Sequence, residues 1–223
     1  MKPPIPVIAI DGPSGTGKGT VANMLARHLG WHILDSGALY RIVAVGAEQQ
    51  DISEQETARL CQFAREMRVS FSTEFEGSII LNGQEISAIV RKEESGDRAS
   101  VIATQASIRT ALLQRQHDFR QPPGLVADGR DMGTVVFPDA ILKFFLTASP
   151  EVRAERRYKQ LKNKGVNVNL AFLLHDIKAR DDRDSSRIVA PLVPAKDAII
   201  VDTTCLDVNE VFSELQRRID QVI

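Results

Sequence analysis

The sequence predicts an α/β fold, a doubly wound parallel sheet of five strands with helices on both faces. Three observations predict it. Short apolar runs recur along the chain, and most are followed by a segment of helical periodicity. A glycine-rich turn joins the first run to the first helix. One stretch between these units instead alternates apolar and polar residues, which indicates a small antiparallel β insertion.

The first strand–helix unit has the clearest pattern. Residues 7–10 form a short apolar run typical of a buried parallel strand. From Lys18 to Leu29 the apolar residues recur on one helical face, and Gly30 supplies a stop signal. A strand, a glycine-rich loop and a helix are therefore expected in that order.

Four further apolar runs predict the other strands of the parallel sheet: residues 31–34, 124–127, 140–146 and 198–201. Helices are expected to follow three of them. One begins at about Ser36, one at Pro150 with Ser149 as its N-cap, and the last runs from about Asp207 to Ile223.

Residues 66–90 depart from this strand–helix pattern. Val69, Phe71 and Phe75 alternate with polar residues, which is the period of a half-buried strand. Asn82-Gly83 is the strongest short signal for a hairpin turn. A small antiparallel β insertion is therefore expected here.

Composition excludes several classes of protein. The 28 Lys and Arg against 29 Asp and Glu give a net charge of −1, so no global charge favours nucleic acid or a membrane surface. No run approaches the roughly 18 apolar residues of a membrane span, and residues 1–6 lack the apolar segment of a signal peptide. Cys61 and Cys205 stand far apart, which argues against a disulfide framework. We expect a cytoplasmic protein.

Residues 11–20, DGPSGTGKGT, contain the spacing of a phosphate-binding P-loop between a strand and a helix. In such a loop, backbone N–H groups and the helix N-terminus converge on phosphate oxygens. Lys18 would add a full positive charge at the β- and γ-phosphates. The alternative is a tight turn followed by a chance lysine, but the position between strand and helix favours the P-loop.

The P-loop departs from the usual pattern at one position. Ser or Thr is expected after the lysine, whereas this chain has Gly19 and then Thr20, so direct Mg²⁺ ligation by a hydroxyl is not predicted. Asp128 follows the apolar run 125–127 and could act as a Walker-B carboxylate that holds Mg²⁺ through water. A cap on the next turn is an equal alternative, so the metal ligands stay unassigned.

Other motifs separate the classes of P-loop protein. The chain lacks the Asn-Lys-x-Asp and Asp-x-x-Gly segments of a regulatory GTPase. A small kinase needs several arginines to neutralise two sets of phosphates. Two groups at helical spacing could serve, although a solvated charged face is the usual alternative: Arg153, Arg156 and Arg157, and Arg180, Arg183 and Arg187.

Four segments together resemble the bacterial-type cytidylate kinases, which are P-loop nucleoside monophosphate kinases. They are DGPSGTGKGT (11–20), LDSGALYR (34–41), ADGRDMGTVVFPDA (127–140) and IKARDDRDSSRIVAPLVPA (177–195). The resemblance covers nearly the whole chain. It implies a kinase core at 1–62, 97–156 and 188–223, an inserted β-rich nucleoside monophosphate-binding domain at 63–96, and a helical lid at 157–187.

The resemblance also implies a role for each matching residue. The catalytic residues would be Lys18, Arg130, Arg180 and Arg187. ATP would be bound by Gly12, Pro13, Ser14, Gly15, Thr16, Gly17, Lys18, Gly19 and Thr20, and by Arg157 of the lid. Cytosine would be read by Ser36, Arg109 and Asp131, and the ribose held by Ser100, Arg180 and Asp184. The acceptor phosphate would be held by Arg41, Arg130 and Arg187. Two alternatives stay open: Ser100 could cap a helix start, and Asp131 could only brace Arg130.

The activity implied by this resemblance is ATP-dependent phosphorylation of CMP and dCMP to CDP and dCDP by direct in-line transfer. The expected cofactor is Mg²⁺, bound as MgATP. The expected partners are these small nucleotides, with no nucleic acid and no membrane, and the protein is expected to be a monomer. The rivals are a nucleotide sensor without turnover and a kinase for another acceptor, such as shikimate. A shikimate kinase would have no base for Ser36, Arg109 and Asp131 to read.

Overall fold

A computed structural model describes residues 4–53, 55–72, 78–163 and 165–223 of the chain. Within these residues the strands are β1 (Val7–Asp11), β2 (His32–Asp35), β3 (Val69–Ser72), β4 (Ser78–Leu81), β5 (Gln84–Glu85), β6 (Leu125–Gly129), β7 (Leu142–Thr147) and β8 (Ile199–Asp202). They form two separate sheets.

The helices flank both sheets. They are α1 (Lys18–Leu29), α2 (Ser36–Gln49), α3 (Thr57–Glu66), α4 (Ser87–Val90), α5 (Glu93–Ile102), α6 (Ala106–Asp118), α7 (Pro150–Asn163), α8 (Leu170–Ser185) and α9 (Val208–Ile219). One π-helical turn spans Met132–Val136. In the described part of the chain, no helix has the length and apolar character needed to cross a membrane.

The larger sheet has five strands in the order β2-β6-β1-β7-β8, and all of its neighbouring strands run parallel. This confirms the predicted doubly wound sheet. Strand β1 lies at the centre of the sheet. Strands β6 and β2 lie on one side of it, and strands β7 and β8 lie on the other. Ligands of such folds bind beyond the carboxyl ends of the strands, where the strand order reverses. The loop after β1 therefore starts at the expected binding edge.

The sheet is covered on both faces because its central strand is buried on both sides. Val7 and Ala9 point into a core shared with α2, α3, α5 and α6. Ile8 and Ile10 point into the opposite core, which is shared with α1 and α9. This alternation follows from the two-residue repeat of a strand, and it explains the continuous apolar run in the sequence.

The smaller sheet is antiparallel, with the order β3-β4-β5, as the alternation and the hairpin signal predict. Asn82 and Gly83 have φ values of 50° and 87°, the left-handed backbone that a tight hairpin turn requires. Val69 and Phe71 pack against the core of the larger sheet. Phe75 lies outside the described residues. The insertion expected at 63–96 contains the end of α3, this sheet, α4 and the start of α5.

The predicted helix starts are confirmed at α1, α2 and α7. Pro150 begins α7, and the Ser149 hydroxyl accepts a hydrogen bond from the Val152 N–H at 3.3 Å, as an N-cap does. Asp207 caps α9 in a reciprocal capping box with Glu210. The last helix ends at Ile219 rather than at residue 223.

Candidate active site

The loop between β1 and α1 has a backbone that only glycine allows at its start. A Cβ atom on Gly12 would lie 2.1 Å from the Leu146 carbonyl oxygen, and its φ is 147°. Gly17 precedes α1 with φ 90°, and no side chain caps the first turn of that helix. The first amides of α1 are thus left without a side-chain acceptor, which is the arrangement that binds phosphate at a helix N-terminus.

The outer side of the loop is held by α7 and by the segment after β8. Arg153 donates to the Ser14 carbonyl at 3.1 Å. The Thr203 hydroxyl lies 3.1 Å from the Thr16 carbonyl, and Arg156 donates to the Thr203 carbonyl at 2.6 Å. These contacts correct the expectation that Arg153 and Arg156 contact phosphates. The Arg153 guanidinium binds the loop directly, and the Arg156 guanidinium binds Thr203, which contacts the loop.

Lys18 lies inside the loop and is 8% exposed. Its ammonium donates to the Pro13 carbonyl at 3.0 Å. Burial lowers the pKa of Lys18 to about 7, and the nearby charge of Arg130 adds to this, whereas Asp128 opposes it. Burial likewise raises the pKa of the Asp128 carboxyl to about 7. A bound polyanion would favour the charged lysine, since an opposite charge raises the pKa of an amine.

Three carboxylates stand at the carboxyl ends of adjacent strands: Asp11 on β1, Asp35 on β2 and Asp128 on β6. Asp11 accepts from the Met132 and Gly133 N–H groups at 2.8 Å each, so it holds the π-helical turn that follows β6. Asp35 caps α2. Sequence reasoning assigned neither role. The signal was an aspartate directly after each apolar run, but only the strand order shows that the runs are neighbours.

The unpaired polar atoms beside the P-loop bear on whether the site fits Mg²⁺. Asp128 Oδ1 is buried and has no hydrogen-bond partner among the described residues, which argues against the turn-capping alternative. A Cβ atom on Gly19 would lie 3.1 Å from Asp128 Oδ2, so a serine or threonine there would crowd this carboxylate. Within the described ranges, no group of three or more His, Cys, Asp or Glu side chains could hold a metal ion. A bound Mg²⁺ would therefore need further ligands from nucleotide or water.

Arginines gather around Asp184 near the end of α8. Arg130 Nε donates to Asp184 Oδ2 at 2.9 Å, and Arg187 Nε donates to the Asp184 carbonyl at 3.1 Å. Arg180 Nε and Arg187 Nη2 are buried and make no hydrogen bond in the described part of the chain. Two guanidinium groups thus keep buried donors that a ligand can use.

The charges of this cluster act on one another. Burial lowers the pKa of Arg180 to about 10, and Arg130 lowers it further while Asp184 opposes. Burial also lowers the pKa of Arg41, and Arg130 contributes to that. Although burial alone would raise the pKa of Asp184, the surrounding arginines Arg130, Arg180 and Arg187 hold it below its usual value. Like charges held this close favour an anionic ligand.

Beside this cluster, Arg109 and Asp131 form a buried ion pair through Nη2 and Oδ2. Ser36 lies at the carboxyl end of β6, beside Gly129. A Cβ atom on Gly129 would be 2.6 Å from the Ser36 hydroxyl oxygen. The alternative role of Asp131 as a brace for Arg130 is wrong, since Arg130 pairs with Asp184 instead. The Arg109–Asp131 pair therefore offers a charged, hydrogen-bonding edge beside the arginine cluster, and its charges also act on Arg187.

The arginines 180, 183 and 187 do not share one helical face. Helix α8 ends at Ser185, so Arg187 lies beyond it and reaches the cluster from the following segment. Arg183 Nε instead donates to the Ser100 hydroxyl on α5 at 3.4 Å. Ser100 lies in the last turn of α5, so it does not cap a helix start.

Arg41 and Arg157 complete the predicted set. Arg41, on α2, donates to the Val90 carbonyl at 3.1 Å. Arg157, on α7, donates to Gln160 at 2.8 Å. Burial lowers the pKa of Arg157, and the charge of Arg41 lowers it further. The positive charges of Arg41 on α2 and Arg157 on α7 thus act on each other.

Comparisons with known proteins give consistent matches over nearly the full chain. The family profile described as cytidylate kinase matches residues 8–221. A cytidylate kinase of Stutzerimonas stutzeri is 54% identical, covering 100% of this chain and 97% of the relative. One from Aeromonas hydrophila is 53% identical over 92% of this chain and 90% of the relative. One from Nitrosococcus oceani is 53% identical over 96% of each chain.

Proposed function

The chain belongs to the cytidylate kinase family, and we propose how its site performs the phosphorylation that this membership implies. The enzyme phosphorylates CMP and dCMP to CDP and dCDP with ATP. One observation carries the assignment of the site. Asp128 at the end of β6 lies against Gly19 of the P-loop, and Arg130, two residues later in the chain, donates to Asp184 in the arginine cluster. The loop proposed for the donor phosphates and the cluster proposed for the acceptor phosphate therefore lie at the same edge of the sheet.

The donor ATP is assigned to the P-loop, residues 12–20, with Arg157 contributing from the lid. Support comes from the uncapped first turn of α1 and from the contacts of Arg153 and Thr203, which hold the Ser14 and Thr16 carbonyls on the outer side of the loop. With these two carbonyls turned outward, the loop can present amides to the phosphates inside. Lys18 would then neutralise charge on the β- and γ-phosphates.

The acceptor nucleotide is assigned to the opposite side of Lys18. Its phosphate would contact Arg41, Arg130 and Arg187, which are buried or half-buried and cationic. Its ribose is assigned to Ser100, Arg180 and Asp184. Its cytosine is assigned to Ser36, Arg109 and Asp131. The free donors on Arg180 and Arg187 support this arrangement.

Transfer would proceed in one displacement. An oxygen of the acceptor phosphate bonds to the γ-phosphorus as the bond from that phosphorus to the bridging oxygen breaks, and ADP leaves with the bonding electron pair. Lys18 and the arginines stabilise charge that spreads over the transferring group, so no general base is assigned. Mg²⁺ bound to the ATP phosphates would neutralise further charge, and the free Oδ1 of Asp128 is the group proposed to orient it.

We propose a core at 1–62, 97–156 and 188–223, an acceptor-binding insertion at 63–96 and a lid at 157–187. We propose a monomer, because the side chains assigned to both substrates come from one chain. Small nucleotides rather than nucleic acid are the proposed partners, in keeping with a net charge of −1. The two free cysteines are typical of a reducing compartment, so we propose the cytoplasm.

The assay that tests the proposed function measures ADP release with ATP and each of CMP, dCMP, UMP, AMP, GMP and shikimate. CMP and dCMP are expected to give the highest kcat/KM. Preference for a purine nucleotide or for shikimate would contradict the base-reading assignment. Binding of ATP and CMP without release of ADP would favour a nucleotide sensor instead.

Arg187→Ala is expected to raise KM for CMP and lower kcat while leaving the Kd for ATP nearly unchanged. The reason is that Arg187 Nη2 is buried without a hydrogen bond, 3.8 Å from Asp184 Oδ1, and a fork of two donors binds phosphate oxygens strongly. Arg187→Lys keeps the charge without the fork and should be intermediate. Steady-state kinetics with each substrate varied would decide this, and a loss confined to ATP affinity would move Arg187 to the donor side.

A further inference from the structure

Arg153 joins the P-loop to helix α8 through one buried guanidinium group. Its Nε donates to the Ala148 carbonyl at 2.9 Å, and Nη1 donates to the Ser14 carbonyl at 3.1 Å. The same Nη1 and Nη2 donate to the two carboxylate oxygens of Asp181 at 3.1 and 2.5 Å. The side chain of Arg153 is 3% exposed. The Asp181 side chain is 25% exposed, so this pair of parallel hydrogen bonds is partly shielded from solvent screening, unlike a surface ion pair.

Asp181 lies one helical turn before Asp184 on the same helix. Asp184 accepts from Arg130 Nε at 2.9 Å, and Arg130 follows β6 at the acceptor side of the site. Helix α8 is thus fixed at two nearby points, one to the donor loop and one to the acceptor cluster. Arg153 links the Ser14 carbonyl to Asp181, the backbone of α8 links Asp181 to Asp184, and Asp184 accepts from Arg130.

We propose that the Arg153–Asp181 ion pair makes the binding of ATP and CMP cooperative. This inference rests on the proposed function, since it uses the assignment of the P-loop to ATP and of α8 residues to CMP. Phosphates that order the loop also fix the Ser14 carbonyl, to which Arg153 is bound. Arg153 in turn fixes Asp181, so Arg180 and Asp184 on α8 are already placed when CMP arrives. The second ligand then loses less free energy to ordering the protein.

Arg153 and Asp181 are positioning residues in this scheme, because they touch protein groups and reach the substrates through them. A second ion pair across the same two helices provides a matched control. Lys178 on α8 lies 3.1 Å from Glu151 on α7, and these side chains are 52% and 58% exposed. The hydrogen bonds of the described residues connect neither of them to the P-loop. Removing Lys178 therefore breaks an α7–α8 contact without interrupting the path to Ser14.

The experiment measures the Kd of CMP by calorimetry with and without a saturating, non-hydrolysable β,γ-imido analogue of ATP and Mg²⁺. The ratio of the two values is the coupling. In the wild-type protein we expect CMP to bind at least about fivefold more tightly with the analogue present, the lower end of typical couplings between sites. Asp181→Ala should bring the ratio below about twofold, whereas Lys178→Ala should keep the wild-type ratio.

The Kd of the analogue alone should change little in Asp181→Ala, because Arg153 still holds the Ser14 carbonyl. A variant that merely weakened the fold would lower both affinities and leave their ratio unchanged, and that result would overturn the proposal. A wild-type ratio near 1 would also overturn it. If Asp181→Ala does not fold, Asp181→Asn replaces it, because asparagine keeps one acceptor for Arg153. We expect Asp181→Asn to give an intermediate ratio. A ratio in Asp181→Asn equal to that of the wild type would count against the proposal. CMP phosphorylation by wild type is measured in parallel, so failure of the proposed function is seen separately.

Discussion

Lys18→Ala is expected to lower kcat by about 10²–10³, the usual cost of losing one fixed charge or donor at a developing negative charge. The lysine is the charged side chain of the P-loop; its ammonium donates to the Pro13 carbonyl, and the charges of Arg130 and Arg180 act on it. Its burial makes the charge more effective, because water cannot screen it. Single-turnover and steady-state kinetics with ATP and CMP would measure the loss.

The same substitution is not expected to weaken the fold at pH 7. Burial lowers the pKa of Lys18 from 10.5 to about 7, so the folded protein binds this proton more weakly than the unfolded chain does. Such a group costs stability as the pH falls below 10.5, and the cost is complete below about 7. Asp128, whose pKa is raised by burial, can take up a proton when the lysine is absent.

Lys18→Met is the matched control for this prediction, because it keeps a buried aliphatic chain without the charge. Both variants should lose activity alike, and their Tm at pH 7 should equal or exceed that of the wild type. A purified variant that retains more than half of the wild-type kcat would contradict the P-loop assignment. A large fall in Tm would instead assign Lys18 a structural role.

Asp131→Asn is expected to lower the ratio of kcat/KM for CMP over UMP by about tenfold or more, since a correctly paired base edge contributes about 1–3 kcal/mol. Cytosine presents an amino donor at N4, whereas uracil presents an O4 acceptor at the same point. An ionised carboxylate only accepts hydrogen bonds, so Asp131 in its proposed base-reading role would favour the first and repel the second. The fall should come mainly from CMP, because a wrongly paired buried group costs more than a missing contact.

The structure determines how the new amide would sit. Arg109 donates to Asp131 Oδ2, so the oxygen of an asparagine would face Arg109 and its amino group would face the base. That amino group can donate to O4 of uracil. Arg109 is held in place by its contact with the Ala103 carbonyl and by its position over the Tyr40 ring. The orientation of the amide therefore follows from contacts that the substitution leaves intact.

The measurement compares CMP and UMP side by side in the wild type, Asp131→Asn and Arg130→Lys. Arg130 is assigned to the phosphate, which both acceptors share, so Arg130→Lys should lower activity on both equally. A CMP to UMP ratio that Asp131→Asn leaves unchanged would remove Asp131 from base reading.

Much of the core fold follows from local patterns. The strands of the larger sheet, helix α1 and the Asn82-Gly83 turn are all visible as apolar runs, periodicity and turn residues. Helix α6 is not, because it buries the polar side chains of Arg109 and Gln116 together with apolar residues and so lacks a clear apolar stripe. The π-helical turn is also hidden, since it depends on the Asp11 carboxylate 121 and 122 positions away.

The sequence by itself determined the fold class, the phosphate-binding loop and the identities of the arginines near it. Only the tertiary structure decided which charged groups are partners. Arg153 and Arg156 stand at helical spacing, yet they bind Ser14 and Thr203 rather than phosphate. Arg130 and Asp131 are neighbours in the chain, yet they pair with Asp184 and Arg109. Propensity and periodicity act over a few residues, whereas the partner of a buried charge is set by where the strands and helices bring distant side chains together.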